Sequence, residues 1–130
     1  MAGERILLVE DNSQNRRLAQ FLLKSHGYVV HEATTGEEAL VLARTYQPAL
    51  ILMDLQLPGM DGYTVARHLK EDAATAAITV VALTAYAMPG DRDKALVVGC
   101  DGYIPKPIDI KEFPAAVQRY LASTRKPEEA

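Results

Sequence analysis

Apolar positions fall into five short runs: RILLV (5–9), YVVHEA (28–33), ALILMD (49–54), ITVVALT (78–84) and YIPK (103–106), each of strand length. The segments between them have helical spacing. The first runs from Asn12, a candidate N-cap, through Leu18 and Leu22 to Gly27, a candidate C′ residue. The second, about 35–46, sets Ala39, Leu42, Ala43 and Tyr46 along one face and stops before Pro48. A third begins near Gly62 and uses Val65, Ala66 and Leu69; a fourth begins near Pro89, suited to a first helical position, and ends at Gly99. The last starts at Asp109, which stands at capping-box spacing from Glu112, and ends near Leu121. Pro114 interrupts it by removing a backbone hydrogen bond to Ile110, so either the first turn is open or the helix starts late.

Strand and helix thus alternate five times along the chain. Parallel strands need crossover connections, and those crossovers cover the sheet, so the pattern implies an α/β, doubly wound parallel sheet with helices on both faces. Runs one, three and four are apolar at nearly every position, which agrees with burial on both sides. With 130 residues the chain makes one domain with a real core. The closing STRKPEEA reads as a frayed tail or linker stub, which sets the expected domain at 1–123 and the tail at 124–130.

Charge and cysteine usage narrow the partners. A net charge of −3 supplies no basic field for direct nucleic-acid binding. The single Cys100 forms neither an internal disulfide nor a multi-cysteine metal site, and is expected as a small, half-buried thiol after a helix. There is no leader pattern at Met1 to Arg5 and no apolar run approaching a membrane span, so the cytoplasm is the expected location. His26, His31 and His68 are scattered over a helix end, a strand and a helix, which gives no zinc-ligand spacing.

The chemistry sits where strands end. Glu10 and Asp11 follow the first strand, Asp54 ends the third, Thr84 ends the fourth and Lys106 follows the fifth. In an open α/β sheet, ligands bind beyond those carboxyl ends, where the strand order reverses. Singly, each residue has a plain role: Asp11 or Asn12 could cap a helix, Asp54 could make an Asx turn before Pro58, Thr84 could be a small hydroxyl and Lys106 a solvated charge. Jointly, three carboxylates on one rim repel one another and call for a divalent cation; all-oxygen ligands point to Mg²⁺. A carboxylate, Mg²⁺, a hydroxyl and a lysine together describe phosphoryl transfer, with Asp54 as in-line nucleophile and Thr84 and Lys106 on the phosphoryl oxygens. The stretch ILMDLQLPGMDGY (51–63) then makes sense. Its apolar strand anchors Asp54, and the turn after it, with Gly59 and Gly62 permissive of positive φ, leaves the carboxylate accessible.

These residues resemble the receiver domains of two-component response regulators. The likeness spans nearly the whole chain: ILLVEDN (6–12), LILMDLQLPGMDGY (50–63), VVALTAYAM (80–88) and GCDGYIPKPID (99–109). The resemblance implies a flavodoxin-like (βα)5 fold with strand order 2-1-3-4-5. It makes Asp54 the phosphoacceptor and Glu10, Asp11, Asp54 and the backbone carbonyl of Gln56 the Mg²⁺ ligands. Thr84 and Lys106 become the phosphoryl contacts, Tyr103 the switch aromatic, and Lys106–Pro107 a cis bond. The side chains of Gln56 and Tyr86 are expected to flank the path of the hydrolytic water and to tune the lifetime of the acyl phosphate. Implied partners are a sensor histidine kinase or histidine phosphotransfer protein, and an output domain or protein docked on the fourth helix, fifth strand and fifth helix. A phosphorylation-dependent homodimer is left open, and the only catalysis expected is of the domain's own phosphorylation and dephosphorylation. The rival, a haloacid-dehalogenase-type phosphohydrolase, has a second Asp two residues after its nucleophile as general acid. Gln56 stands there and cannot exchange a proton in that way.

Overall fold

The computed structural model describes residues 3–84 and 99–125. Each apolar run becomes a strand: β1 (Arg5–Val9), β2 (Val29–Ala33), β3 (Leu50–Asp54), β4 (Thr79–Thr84) and β5 (Gly102–Pro105). All neighbouring strands are parallel, in the order β2-β1-β3-β4-β5. Successive side chains on a strand point to opposite faces. Leu7, Val9, Ile51 and Met53 therefore pack toward helices α2 (Gly36–Tyr46) and α3 (Gly62–Glu71). Ile6, Leu8, Leu50 and Leu52 pack toward α1 (Ser13–Ser25) and the C-terminal helix (Glu112–Arg125). Both faces of β1, β3 and β4 are core, so those runs carry no polar alternation.

Local chemistry sets the helix starts. The Asn12 side chain accepts the Asn15 N–H at 2.9 Å, Thr35 accepts Glu38 N–H at 3.2 Å, and Asp61 accepts Thr64 N–H at 2.9 Å. Gly27 follows α1 with φ 88°, the left-handed conformation expected of it. The fourth helical segment expected from Pro89, and Tyr86 before it, lie outside the described residues.

Four expectations need correction. Tyr46 does not join Ala39 and Ala43 in the core; it sits in the last turn of α2 and stacks on the His31 ring, centroids 3.9 Å apart. There it covers the edge strand β2 with one aromatic face while the other meets water. The last helix begins at Glu112, not Asp109, and runs to Arg125, beyond the end expected near Leu121. Asp109 still caps, its Oδ1 accepting the N–H groups of Lys111 at 2.8 Å and Glu112 at 2.9 Å. The late start leaves Pro114 in the first turn, where a missing N–H is tolerated. Cys100 is buried, not half-buried, and burial pushes its thiol up to about 11, with the neighbouring Asp101 charge adding to the effect. Gly62 has no positive φ, and its role is steric, as described below.

The edge strand β5 is held by a residue that sequence patterning did not single out. Tyr120 on the C-terminal helix accepts the Tyr103 N–H on its hydroxyl at 3.2 Å. Its ring lies so close to Gly102 that a Cβ there would stand 2.2 Å from Cε1. A hydroxyl thus occupies an outward-facing backbone donor of β5, one way a fold blunts an open sheet edge.

Candidate functional site

Glu10 follows β1 directly, Asp54 ends β3, Thr84 ends β4, and Lys106 follows β5. The parallel register brings these ends to one rim: Asp54 pairs with Leu83, Thr84 pairs with Pro105, and the Lys106 N–H donates to the Thr84 carbonyl at 2.8 Å. Glu10, Asp54 and Thr84 are buried, while Asp11 is exposed at the mouth. One carboxylate oxygen from each of Glu10, Asp11 and Asp54 lies within 4.8 Å of the others. The Lys106–Pro107 peptide bond is cis.

Lys106 bridges the two buried acids. Its Nζ donates to Asp54 Oδ2 at 3.0 Å and stands 2.9 Å from Glu10 Oε1. The Glu10 contact is close in charge but not aligned as a hydrogen bond, because Oε1 has no hydrogen-bond partner despite its burial. Burial raises the Glu10 carboxyl above the ordinary range; the Lys106 ammonium opposes this and the Asp54 charge reinforces it. Burial alone would lower the Lys106 pKa, but its two carboxylate partners outweigh that, and the net direction is up. The second Asp54 oxygen, Oδ1, accepts the Gln56 N–H at 2.9 Å, an Asx turn that fixes the carboxylate's rotation. Asp54 therefore has both its plain role and its electrostatic one.

These donors suit a hard divalent cation. All three are carboxylates, and the buried Glu10 Oε1 has an ion pair to Lys106 but no aligned hydrogen bond. Capping does not compete for Asp11, since Asn12 caps α1. Among the described residues no histidine or cysteine joins this cluster.

Gly62 explains how Asp54 is placed. A Cβ at Gly62 would lie 2.6 Å from both the Asp54 carbonyl oxygen and Leu55 Cα, and the Gly62 N–H donates to the Leu55 carbonyl at 3.1 Å. The start of α3 thus presses against the chain leaving β3. Backbone cannot swing aside as a side chain can, so Gly62→Ala should lie at the upper end of overpacking costs, about 3 kcal/mol. Gly59→Ala meets nothing within 4 Å and bears only the penalty of its φ of 73°, about 1 kcal/mol. Urea unfolding of the two variants checks the order; equal losses would remove the steric account of Gly62.

Arg16 is a second residue that the sequence reading missed. From α1 its Nη1 donates to the carbonyls of Glu10 at 3.0 Å and Asp11 at 3.4 Å, and its Nε pairs with Glu32 on β2 at 3.4 Å. Its one available signal was a basic residue five positions after Asp11 in EDNSQNR (10–16). Tyr103 is half-buried on β5, and its backbone is tied to Tyr120.

Comparison with known proteins agrees with this arrangement. Residues 6–118 match the family model of the response regulator receiver domain. The polar-differentiation response regulator DivK of Brucella ovis is 42% identical over 116 residues, covering 89% of this chain and 94% of that protein. Among solved structures, the receiver domain of sensor histidine kinase PA1611 from Pseudomonas aeruginosa PAO1 carries a magnesium ion coordinated in its active-site cleft. It is 36% identical, with a TM-score of 0.86 over 93% of this chain and 99% of that one. The chemotaxis response regulator CheY4 of Vibrio cholerae, 24% identical with a TM-score of 0.86 over 92% of this chain and 99% of that one, shares the fold. Because the family model spans most of the sheet and both ends of the acidic rim, the chain belongs to the response regulator receiver domains, the signalling modules of two-component systems.

Proposed function

We propose that this receiver domain takes a phosphoryl group from a histidine-phosphorylated kinase or phosphotransfer protein onto Asp54 and so changes the surface it shows to an output partner. The observation that carries the reading is the shared position of Asp54: one nucleophilic carboxylate faces both an acidic cluster fit for Mg²⁺ and the Lys106 ammonium. Glu10, Asp11, Asp54 and the backbone carbonyl of Gln56 would hold the ion. Bound there, Mg²⁺ supplies neutralisation of the carboxylates and of the phosphoryl oxygens.

This chain's residues do the rest. The Asx turn with Gln56 holds Asp54 in one rotamer, so a carboxylate oxygen can attack phosphorus in line. The new O–P bond replaces the donor's N–P bond, the imidazole nitrogen leaves with the bonding pair and takes up a proton, and an acyl phosphate remains. Lys106 follows the charge from carboxylate to phosphoryl oxygen, and Thr84 donates its hydroxyl to another phosphoryl oxygen. As Thr84 moves, Tyr103 on β5 turns inward, and the face built by β5 and the adjoining helices changes its shape for the output protein. Such a switch shifts populations already present. Gln56 and Tyr86 set how fast water removes the phosphoryl group. The reading puts the domain, over residues 1–123, beside its kinase in the cytoplasm; among the described residues no helix is long and apolar enough to cross a membrane.

The test is intact-mass measurement after incubation with acetyl phosphate. One phosphoryl group, labile to hydroxylamine, should appear with Mg²⁺ and be absent in EDTA. Full labelling in EDTA would refute the role given to the acidic cluster.

A further inference from the structure

Arg16 stands one turn into α1 and reaches back to the loop that delivers Glu10 and Asp11. Its Nη1 donates to both of their carbonyls, at 3.0 and 3.4 Å, while its Nε pairs with Glu32 Oε1 at 3.4 Å. Gln20 donates to the other Glu32 oxygen, so the acid partner is held in turn. We propose that Arg16 is a positioning residue for the metal site: it fixes the backbone from which Glu10 and Asp11 project, and Glu32 neutralises its charge so that this support does not repel a cation.

The inference rests on the Mg²⁺ reading above and adds to it a reason for the loop's order. Asp11 is exposed at the middle of this loop, whose neighbours are tied elsewhere: Glu10 N–H donates to the Ala33 carbonyl, Asn12 N–H to Glu10 Oε2, and Asn12 accepts the Asn15 and Arg16 N–H groups. A loop that must be ordered when the ion arrives loses conformational entropy at that moment, so a loop ordered beforehand binds more tightly. Guanidinium suits this task because Nη1 and Nε, fixed in one plane and apart from each other, serve two carbonyls and a more distant carboxylate together, whereas an ammonium's donors radiate from one atom. The bare alternative is that Arg16 merely ties α1 to β2. That role would lower the stability of the ion-free protein and leave ion affinity unchanged.

The experiment separates the two. Mg²⁺ affinity is measured by calorimetry on the full chain for wild type, Arg16→Ala, Arg16→Lys and Glu32→Gln, with urea midpoints taken in EDTA. Loss of a supporting partner of this kind should weaken Mg²⁺ binding by about tenfold in Arg16→Ala. Arg16→Lys should fall between it and wild type, and Glu32→Gln should weaken binding most at low salt, where its unmasked neighbour is least screened. Should Arg16→Ala fail to fold, the lysine and Glu32 variants decide. Wild-type Mg²⁺ affinity in the Arg16 variants, with or without a lower urea midpoint, overturns the inference while the phosphoacceptor reading stands. A wild-type protein that binds no Mg²⁺ overturns both.

Discussion

Asp54→Asn is expected to accept no phosphoryl group from acetyl phosphate under Mg²⁺ conditions that label the wild type. The amide has nearly the volume of the carboxylate, and its oxygen can still accept from the Gln56 N–H or from Lys106 Nζ, now 2.9 and 3.0 Å from the two Asp54 oxygens. What it lacks is a nucleophilic anion. The Asp54 charge also raises the neighbouring Glu10 carboxyl, so its removal lets Glu10 ionise more readily beside Lys106 and should not destabilise the ion-free protein. Loss of label at an unchanged or higher urea midpoint therefore isolates chemistry from folding. A hydroxylamine-labile phosphoryl group on the variant would mean that another carboxylate is the acceptor.

Lys106→Met should affect both stability and chemistry. The Lys106, Glu10 and Asp54 side chains are only 12%, 1% and 6% exposed, so little solvent screens what remains when the ammonium is removed. Removing one partner of a buried pair leaves an uncompensated charge, a loss of about 3–5 kcal/mol. In EDTA at neutral pH the urea midpoint should fall accordingly, and Mg²⁺ should recover much of it by neutralising the same two carboxylates.

Acid should recover it too, and the sign follows from Glu10. Its folded pKa is raised above the unfolded value, so the folded state binds the proton more tightly. The resulting stabilisation is full below the unfolded carboxyl pKa and is lost as pH rises through the folded one. Without Lys106 that pKa rises further, so the deficit of the variant should shrink as pH is lowered toward the carboxyl range. On the chemical side, loss of the cation facing the phosphoryl oxygens should slow labelling by roughly 10²–10³-fold even with Mg²⁺ saturating. Matching midpoints in EDTA, or an unchanged labelling rate, would remove Lys106 from its role.

Much of this molecule could be read from the chain because its signals are local. Strand-length apolar runs, Asn12 ahead of the first helix and Gly27 after it depend on backbone preferences within a few residues, and the strands, that cap and Gly27 appear where those preferences put them. The five polar residues at strand ends were visible for the same reason, since a parallel sheet must deliver them to one rim. Contacts between distant segments were not visible. Gly62 looked like a turn glycine, and only the approach of α3 to the end of β3 shows that its missing side chain makes room for backbone. Tyr46 had the spacing of a core residue, yet the end of α2 overhangs the edge strand, where His31 takes its ring. Tyr120 and Arg16 carry no motif, because their partners, the edge of β5 and the carbonyls of Glu10 and Asp11, are backbone groups that any sequence possesses. Sequence by itself determined the elements, the sheet and the acidic rim; tertiary structure alone decided which side chains hold that rim in place, since close packing and buried charge depend on distances that no local pattern encodes.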